Sequence, residues 1–294
     1  MLTPHLHSQG KEHYARTRDG RSLFYQELSG PLDSSAPTVV FESGLAASRS
    51  FWGLVQPATA QFTKAVVYDR SGLGRSEYRP MPRSMENMAS DLNDLLDQLG
   101  PGPFILVAHS GGGPIIREAT AARPERIAGL VLIDAPDEGC LALFDKTFLL
   151  LEKVAHAASC ALARVGLLSL FYRRLMAPLP RDVRHDLGRE GFTQKAMATR
   201  GAELKGLREA LNKYRYQAPT LPNNPVTLIS GAKADFGMST RLRAAANTAH
   251  NLRAKLLPHG RHVLAKKSGH CVLLTEPDLI VNEIYKIIRE QKYR

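Results

Sequence analysis

Cysteine is scarce in this chain, and the three present, Cys140, Cys160 and Cys271, are too scattered for a disulfide framework or a zinc spacing. No uncharged apolar run reaches the roughly 18 residues that a membrane span requires. The opening MLTPHLHSQGKEHYAR lacks the apolar core of a secretory signal. Aromatic residues make up only 7%, and no Arg/Lys cluster interleaves with them as in a nucleic-acid module. These absences lead us to expect a soluble, cytoplasmic protein with no nucleic-acid partner and no metal site. Internal repeats and low-complexity segments are also missing.

At 294 residues and 44% apolar content, the chain suffices for one large α/β domain or two smaller ones. Its net charge of +11 is unevenly placed. Residues 1–140 carry 13 Lys and Arg against 16 Asp and Glu, residues 141–220 carry 14 against 7, and residues 221–294 carry 12 against 5. The basic excess therefore begins at about residue 141. A solubilising surface explains it most simply, while an anionic lipid or substrate is the functional alternative.

After a polar tail at 1–11, His13–Thr17 and Ser22–Leu28 pattern as a hairpin around an Asp-Gly turn. A linker, Ser29 to Pro37, leads to a buried strand at Thr38–Glu42. Helix is expected at Ser50–Ala60, strand at Lys64–Asp69, and helix at Met85–Leu99 with Ser84 as N-cap. Phe104–Ala108 is a buried strand, a helix follows from Pro114 to about Arg123, and Ile127–Ala135 is the next strand. This alternation implies a parallel sheet with right-handed crossovers. Residues 138–220 then show helical patterning only. Phe144–Met176 reads as two amphipathic helices broken by charges, Pro178-Leu179-Pro180 as a break, and the rest as basic helices to about Arg215. Strands are expected again at Pro225–Ser230 and Ala254–Pro258, with helices near Thr240–His250 and at Pro277–Gln291. The simplest division is a sheet domain, 1–137 with 221–294, carrying a helical cap at 138–220.

The stretch with most chemical content is FILVAHSGGGPII, 104–116. A serine between a buried strand and a helix, hemmed by small residues, occupies a very tight turn. Such a turn lifts the Ser110 hydroxyl to the strand's carboxyl end and aims the helix N-terminus at it. A serine hydroxyl is a weak nucleophile unless a base, oriented by a third group, takes its proton. In a strand–elbow–helix arrangement the order is serine, acid, histidine. His270, in a Ser-Gly-His turn before the last helix, is the expected base. His262 lies in the approach to that turn. For the acid, Asp235 after strand 225–230 is the first choice, Asp134 the second and Asp137 the third. A developing oxyanion needs donors, and the amides of Gly111 and Leu45 are expected to supply them.

The Ser-Gly-Leu loop at 43–45, DRSGLGRS at 69–76, AHSGGG at 108–113, ISGAKAD at 229–235 and SGH at 268–270 resemble, in order, the motifs of the α/β-hydrolase superfamily. The likeness is to its lid-bearing serine esterase and lipase branch, and it covers nearly everything outside 138–220. Ala108 stands where a glycine is common, Glu42-Ser43-Gly44 where a His-Gly pair is common, and Asp235 lies one residue further from its glycine than usual. The resemblance implies a mostly parallel eight-stranded sheet flanked by helices, with a helical cap inserted after the sixth strand. It implies a catalytic triad, a cap over the pocket, and no cofactor. Dehalogenases and epoxide hydrolases of this fold use an aspartate nucleophile, so serine at 110 argues against both. His109 reads as a packing or pocket residue.

The leading expectation is a serine hydrolase acting on a carboxylic ester of a small hydrophobic substrate, with weak membrane-surface contact through the basic cap. The same triad could serve C–C, thioester or lactone hydrolysis, or acyl transfer. A non-catalytic receptor for a hydrophobic ligand is the other class. The sequence does not fix the oligomeric state.

Overall fold

A computed structural model of the chain describes residues 6–32, 35–78, 81–235 and 237–291. The first five residues of the expected tail and residues 33–34 of the expected linker lie outside these. In order, the elements are β1 (Lys11–Arg16), β2 (Ser22–Leu28), β3 (Thr38–Glu42), α1 (Val55–Thr59), β4 (Ala65–Tyr68), α2 (Met85–Leu99), β5 (Phe104–His109), α3 (Gly112–Ala122) and β6 (Ile127–Ile133). Then come α4 (Lys146–Arg164), α5 (Leu168–Met176), α6 (Arg181–Glu190), α7 (Gln194–Tyr214), β7 (Val226–Gly231), α8 (Thr240–Leu256), β8 (Gly260–Ala265), α9 (Val272–Thr275) and α10 (Pro277–Gln291).

The strands form one eight-stranded sheet in the order β1-β2-β4-β3-β5-β6-β7-β8. Only β2 runs against the others; every pair from β4 to β8 is parallel. A parallel strand buried on both faces must be apolar at every position, and β5 and β6 are buried along their whole length. Alternate residues enter different layers. Val40, Leu106 and Leu130 pack with α2 and α3, whereas Val39, Ile105 and Val131 pack with α1 and α10. Burying each such side chain contributes about 1.5–3 kcal/mol.

The strand order reverses direction between β3 and β5, so the loops leaving their carboxyl ends diverge and open a crevice. Between β6 and β7 the chain contributes only helices, α4 to α7. Helix α7 lies so close to the start of α2 that a Cβ on Gly206 would sit 1.9 Å from the Arg83 carbonyl oxygen.

Three expectations need correction. Residues 50–60 are not one helix: a 3-10 turn at Arg49–Trp52 precedes α1. Gly53 separates them, and α6 presses there, with Val183 Cγ1 2.7 Å from where a Cβ would stand. No strand forms at Ala254–Pro258, because α8 continues to Leu256 and buries Ala254; the last strand is Gly260–Ala265. That places His262, expected in the approach to the His270 turn, within β8 and half-buried. The N-terminal segment is not loose either. Ser8 bonds Asp182 of α6 through its amide (2.6 Å) and hydroxyl (2.9 Å), and Gln9 is buried.

Candidate active site

Ser110 leaves β5 with a φ of 51°, a left-handed conformation that non-glycine residues rarely adopt. Two backbone bonds hold it there: its amide donates to the Ile133 carbonyl at the end of β6 (2.9 Å), and its carbonyl accepts from Gly113 (2.9 Å). The turn is possible because the following residues lack side chains. A Cβ on Gly113 would lie 2.4 Å from the Ala135 Cβ, and one on Gly112 would lie 2.7 Å from the Ser43 carbonyl oxygen.

The His270 imidazole reaches Ser110. Its Nε2 is 3.0 Å from the Ser110 Oγ. The loop carrying it is anchored by Glu276, which accepts from the Lys267 amide (2.8 Å) and the Ser268 hydroxyl (2.6 Å). His262 is elsewhere, with its Nε2 2.8 Å from the Ser230 Oγ.

The carboxylate on the imidazole is that of Asp134, not the expected first choice Asp235. His270 Nδ1 is 2.7 Å from Asp134 Oδ2. Asp235 instead accepts the His270 backbone amide (2.5 Å) and is exposed. Topology explains the difference. β6 is the immediate neighbour of β5, so its tip lies beside Ser110, whereas β7 is one strand further away. Three further residues also separate the end of β7 from Asp235, which carries that carboxylate to the outside of the His270 loop. Gly269 makes the Asp235 contact possible, since a Cβ there would fall 2.1 Å from Oδ2. Asp137, the third choice, pairs with Arg253.

Asp134 is itself held in a left-handed conformation, φ 45°. It accepts from the Gly231 amide (3.2 Å) and from Arg243, in addition to His270. Burial favours its neutral form, but the bonds from His270 and Arg243 outweigh that and hold its carboxyl well below the usual carboxylate range. Asp134 is thus a buried anion aimed at the imidazole. Arg243 had no mark in the sequence, being one of three arginines or lysines between 233 and 243.

His109 backs the site. Burial, reinforced by the neighbouring imidazole of His270, pushes its pKa down to about 3, so it is neutral near pH 7. Its Nε2 lies 2.9 Å from the His270 carbonyl oxygen. A carbonyl only accepts, so Nε2 carries the proton and donates.

The two expected oxyanion donors lie on facing loops. Leu45 follows β3, Gly111 follows Ser110, and a Cβ on Gly111 would be 2.5 Å from the Leu45 Cδ2. Gly44 packs against the serine: a Cβ there would be 3.2 Å from that of Ser110. Neither the Leu45 nor the Gly111 amide has an acceptor among the described residues. Behind this loop sits Arg70 of the 69–76 motif, fully enclosed with Glu42, Tyr68 and Glu203. Sequence reasoning gave none of these four a role. Nothing local in the sequence sets Glu203 apart from the other six acids of residues 141–220.

Such an arrangement can deprotonate a hydroxyl, hold the resulting imidazolium and offer two amides to a developing negative charge. Among the described residues no three His, Cys, Asp or Glu side chains converge as a metal site.

Comparison with known proteins agrees with the fold. A Gibberella zeae protein named AB hydrolase superfamily protein is 26% identical, and the match covers 86% of each chain. A protein of Agrobacterium fabrum with the provisional name carbamate hydrolase RutD is 26% identical over 89% of this chain and 97% of its own. Among solved structures, the ligand-free epoxide hydrolase CorEH superposes with a TM-score of 0.70 at 19% identity, covering 96% of this chain and 99% of that one, a likeness of fold alone. The profile of the alpha/beta hydrolase family matches residues 39–283, a span containing Ser110, Asp134 and His270, and the chain belongs to that family.

Proposed function

We propose that the protein is a serine hydrolase that cleaves a carboxylic ester of a small hydrophobic molecule through an acyl-enzyme. The observation that carries this reading is the unbroken chain from Asp134 to His270 to Ser110, with spacings of 2.7 and 3.0 Å. Ser110 Oγ attacks the ester carbonyl while His270 Nε2 takes its proton. The Leu45 and Gly111 amides hold the oxyanion as the tetrahedral intermediate forms. When it collapses, His270 returns the proton to the departing alcohol. Water then repeats the sequence on the acyl-enzyme, with His270 again as base. Asp134 keeps the imidazole in the Nδ1–H tautomer and stabilises the imidazolium. Residues 138–220 serve as a cap, and their apolar helices favour a hydrophobic acyl or alcohol group.

The test is hydrolysis of p-nitrophenyl esters of graded acyl length by wild type and Ser110→Ala. Wild type is expected to turn over esters with a chain-length preference, and the variant to lose at least about a thousandfold in kcat/KM. Equal rates in the two proteins would reject the mechanism. The provisional name of the bacterial relative supports a second reading, a carbamate substrate. A carbamate passes through the same tetrahedral geometry, so an aryl carbamate belongs in the same panel.

We infer in addition a peripheral contact between the cap and an anionic membrane surface. Leu150, Val154 and Val165 recur along the outer face of α4 and its end, and Leu170 and Phe171 continue it on α5; all are exposed. Lys153, Arg164, Arg173 and Arg174 are exposed beside them. An apolar stripe edged by cations suits a surface that is anionic outside and apolar beneath.

A further inference from the structure

The cluster behind the oxyanion loop is built as a clamp. Arg70 has five N–H donors, and each finds an oxygen. Nε donates to Glu203 Oε1 (2.9 Å). Nη1 donates to Glu42 and to the Ser43 carbonyl (2.6 Å). Nη2 donates to the Gly44 carbonyl (2.7 Å) and to Glu203 Oε2 (3.0 Å). Glu203 then uses the same Oε2 to accept the Ala46 amide at 2.9 Å. Three of four consecutive positions of the loop, 43, 44 and 46, are therefore tied to one ion pair. Ala46 is one of only three non-glycine residues with positive φ among the described residues; the other two are Ser110 and Asp134.

The position left untied is 45. A trans peptide is planar, with its C=O and N–H pointing in opposite directions. Holding the Gly44 carbonyl toward Arg70 therefore turns the Leu45 N–H away from Arg70. The side of the loop facing away from Arg70 is where Gly44 meets Ser110 and Leu45 meets Gly111. Glu203 adds a second consequence. It belongs to α7, part of the helical insertion, and is wholly buried against the core. Removing α7 would take away the loop's bond from the Ala46 amide and two of the five bonds of Arg70, which is costly for a buried cation.

We propose that Arg70 and Glu203 are positioning residues that hold the Ser43–Ala46 loop so that the Leu45 amide faces the oxyanion, and that the seating of α7 completes the oxyanion hole. The insertion is then part of the reaction centre's support, and the serine is fully reactive only with α7 docked. This rests on the reading of Ser110 as nucleophile and Leu45 as donor.

The test is the second-order rate at which a fluorophosphonate labels Ser110, compared among wild type, Glu203→Gln, Glu203→Asp and Arg70→Lys. Ser110 Oγ displaces fluoride from phosphorus to form a phosphonyl adduct whose P=O oxygen occupies the oxyanion position, so its rate reports the hole without a known substrate. Each rate is measured per folded molecule, with circular dichroism and thermal melting used to correct for unfolded protein. Glu203→Gln keeps the size and one acceptor, and Arg70→Lys keeps the charge but loses the fork. Each is expected to slow labelling by about ten- to a hundredfold, less than deletion of a donor. The inhibition constant of p-nitrophenol, which has no carbonyl oxygen to enter the hole, is expected to change by under threefold. If folded variants label as fast as wild type, the proposal falls while the nucleophile stands. If wild type labels elsewhere than Ser110, the underlying reading falls and the proposal with it.

Discussion

Two carboxylates contact the same histidine, and what each touches decides its role. Asp134 meets the ring nitrogen, while Asp235 meets the backbone amide. Replacing Asp134 by Asn would keep the shape but remove the charge and let an amide group donate to Nδ1, favouring the wrong tautomer. We expect Asp134→Asn to lower kcat by about three to four orders of magnitude, by analogy with triads in which the acid is neutralised. Asp235→Asn keeps an oxygen that can accept the His270 amide and should cost less than about tenfold. Ester turnover or fluorophosphonate labelling of the two variants decides the matter, and the reverse ranking would restore Asp235 as the acid. Ser110 and His270, the proposed nucleophile and base, stood out because each sits in a local pattern, an apolar strand before small residues and a Ser-Gly-His turn. The carboxylate that meets the imidazole was harder to read. Asp134 and Asp235 both follow strands, and only the spatial neighbour relation of β5 with β6 favours the nearer one. A sequence carries strand succession, not strand adjacency.

Among elements, the strands of the sheet could be read because parallel strands buried on both faces are continuous apolar runs. The β8 boundary could not, since Ala254 to Leu257 is as apolar at the end of a helix as in a strand. The insertion's docking was also hidden, and its chemistry is carried by its few acids. Arg49 and Arg70 of the core are buried, and they receive Asp186 and Glu190 from α6 and Glu203 from α7. The insertion thus turns these carboxylates inward and leaves its cations on the outside. Its backbone fits as closely as its charges. Gly206 of α7 has no room for a methyl group beside the Arg83 carbonyl, whereas Gly188 of α6 is exposed with open space around its Cβ position. The same change should therefore have opposite effects. Gly206→Ala should destabilise by about 1–3 kcal/mol as overpacking against backbone. Gly188→Ala should stabilise by roughly 0.5–1 kcal/mol through helix propensity and reduced chain entropy. Thermal melting of both checks this, and a Gly206→Ala protein as stable as wild type would mean that α7 is not seated against α2.

At the scale of the whole molecule, charge is divided between the part that holds the site and the part that faces outward. Residues 146–177 carry five Lys and Arg against one acid, Glu152, and that acid is paired with Arg208. The outer face of this segment exposes Leu150, Leu151, Val154, Leu170 and Phe171, the last at 71%. No single helix among the described residues is long and apolar enough to cross a membrane, and α4 and α5 meet at a 99° bend. Such a surface can lie on a bilayer without spanning it. Each cation near an anionic leaflet contributes about 1 kcal/mol, and the attraction decays within a Debye length of about 10 Å at 0.1 M salt. The protein should sediment with phosphatidylcholine vesicles only when phosphatidylserine is included, and added salt should weaken that binding. Arg173→Glu with Arg174→Glu should reduce it by at least about tenfold. Phe171→Ser should reduce it at both low and high salt, because it removes the apolar part of the contact. Binding that ignores phosphatidylserine, or is absent, would overturn the membrane reading. So would a dimer in solution dispersed by Phe171→Ser, because the occupant of this face would then be a second copy of the chain.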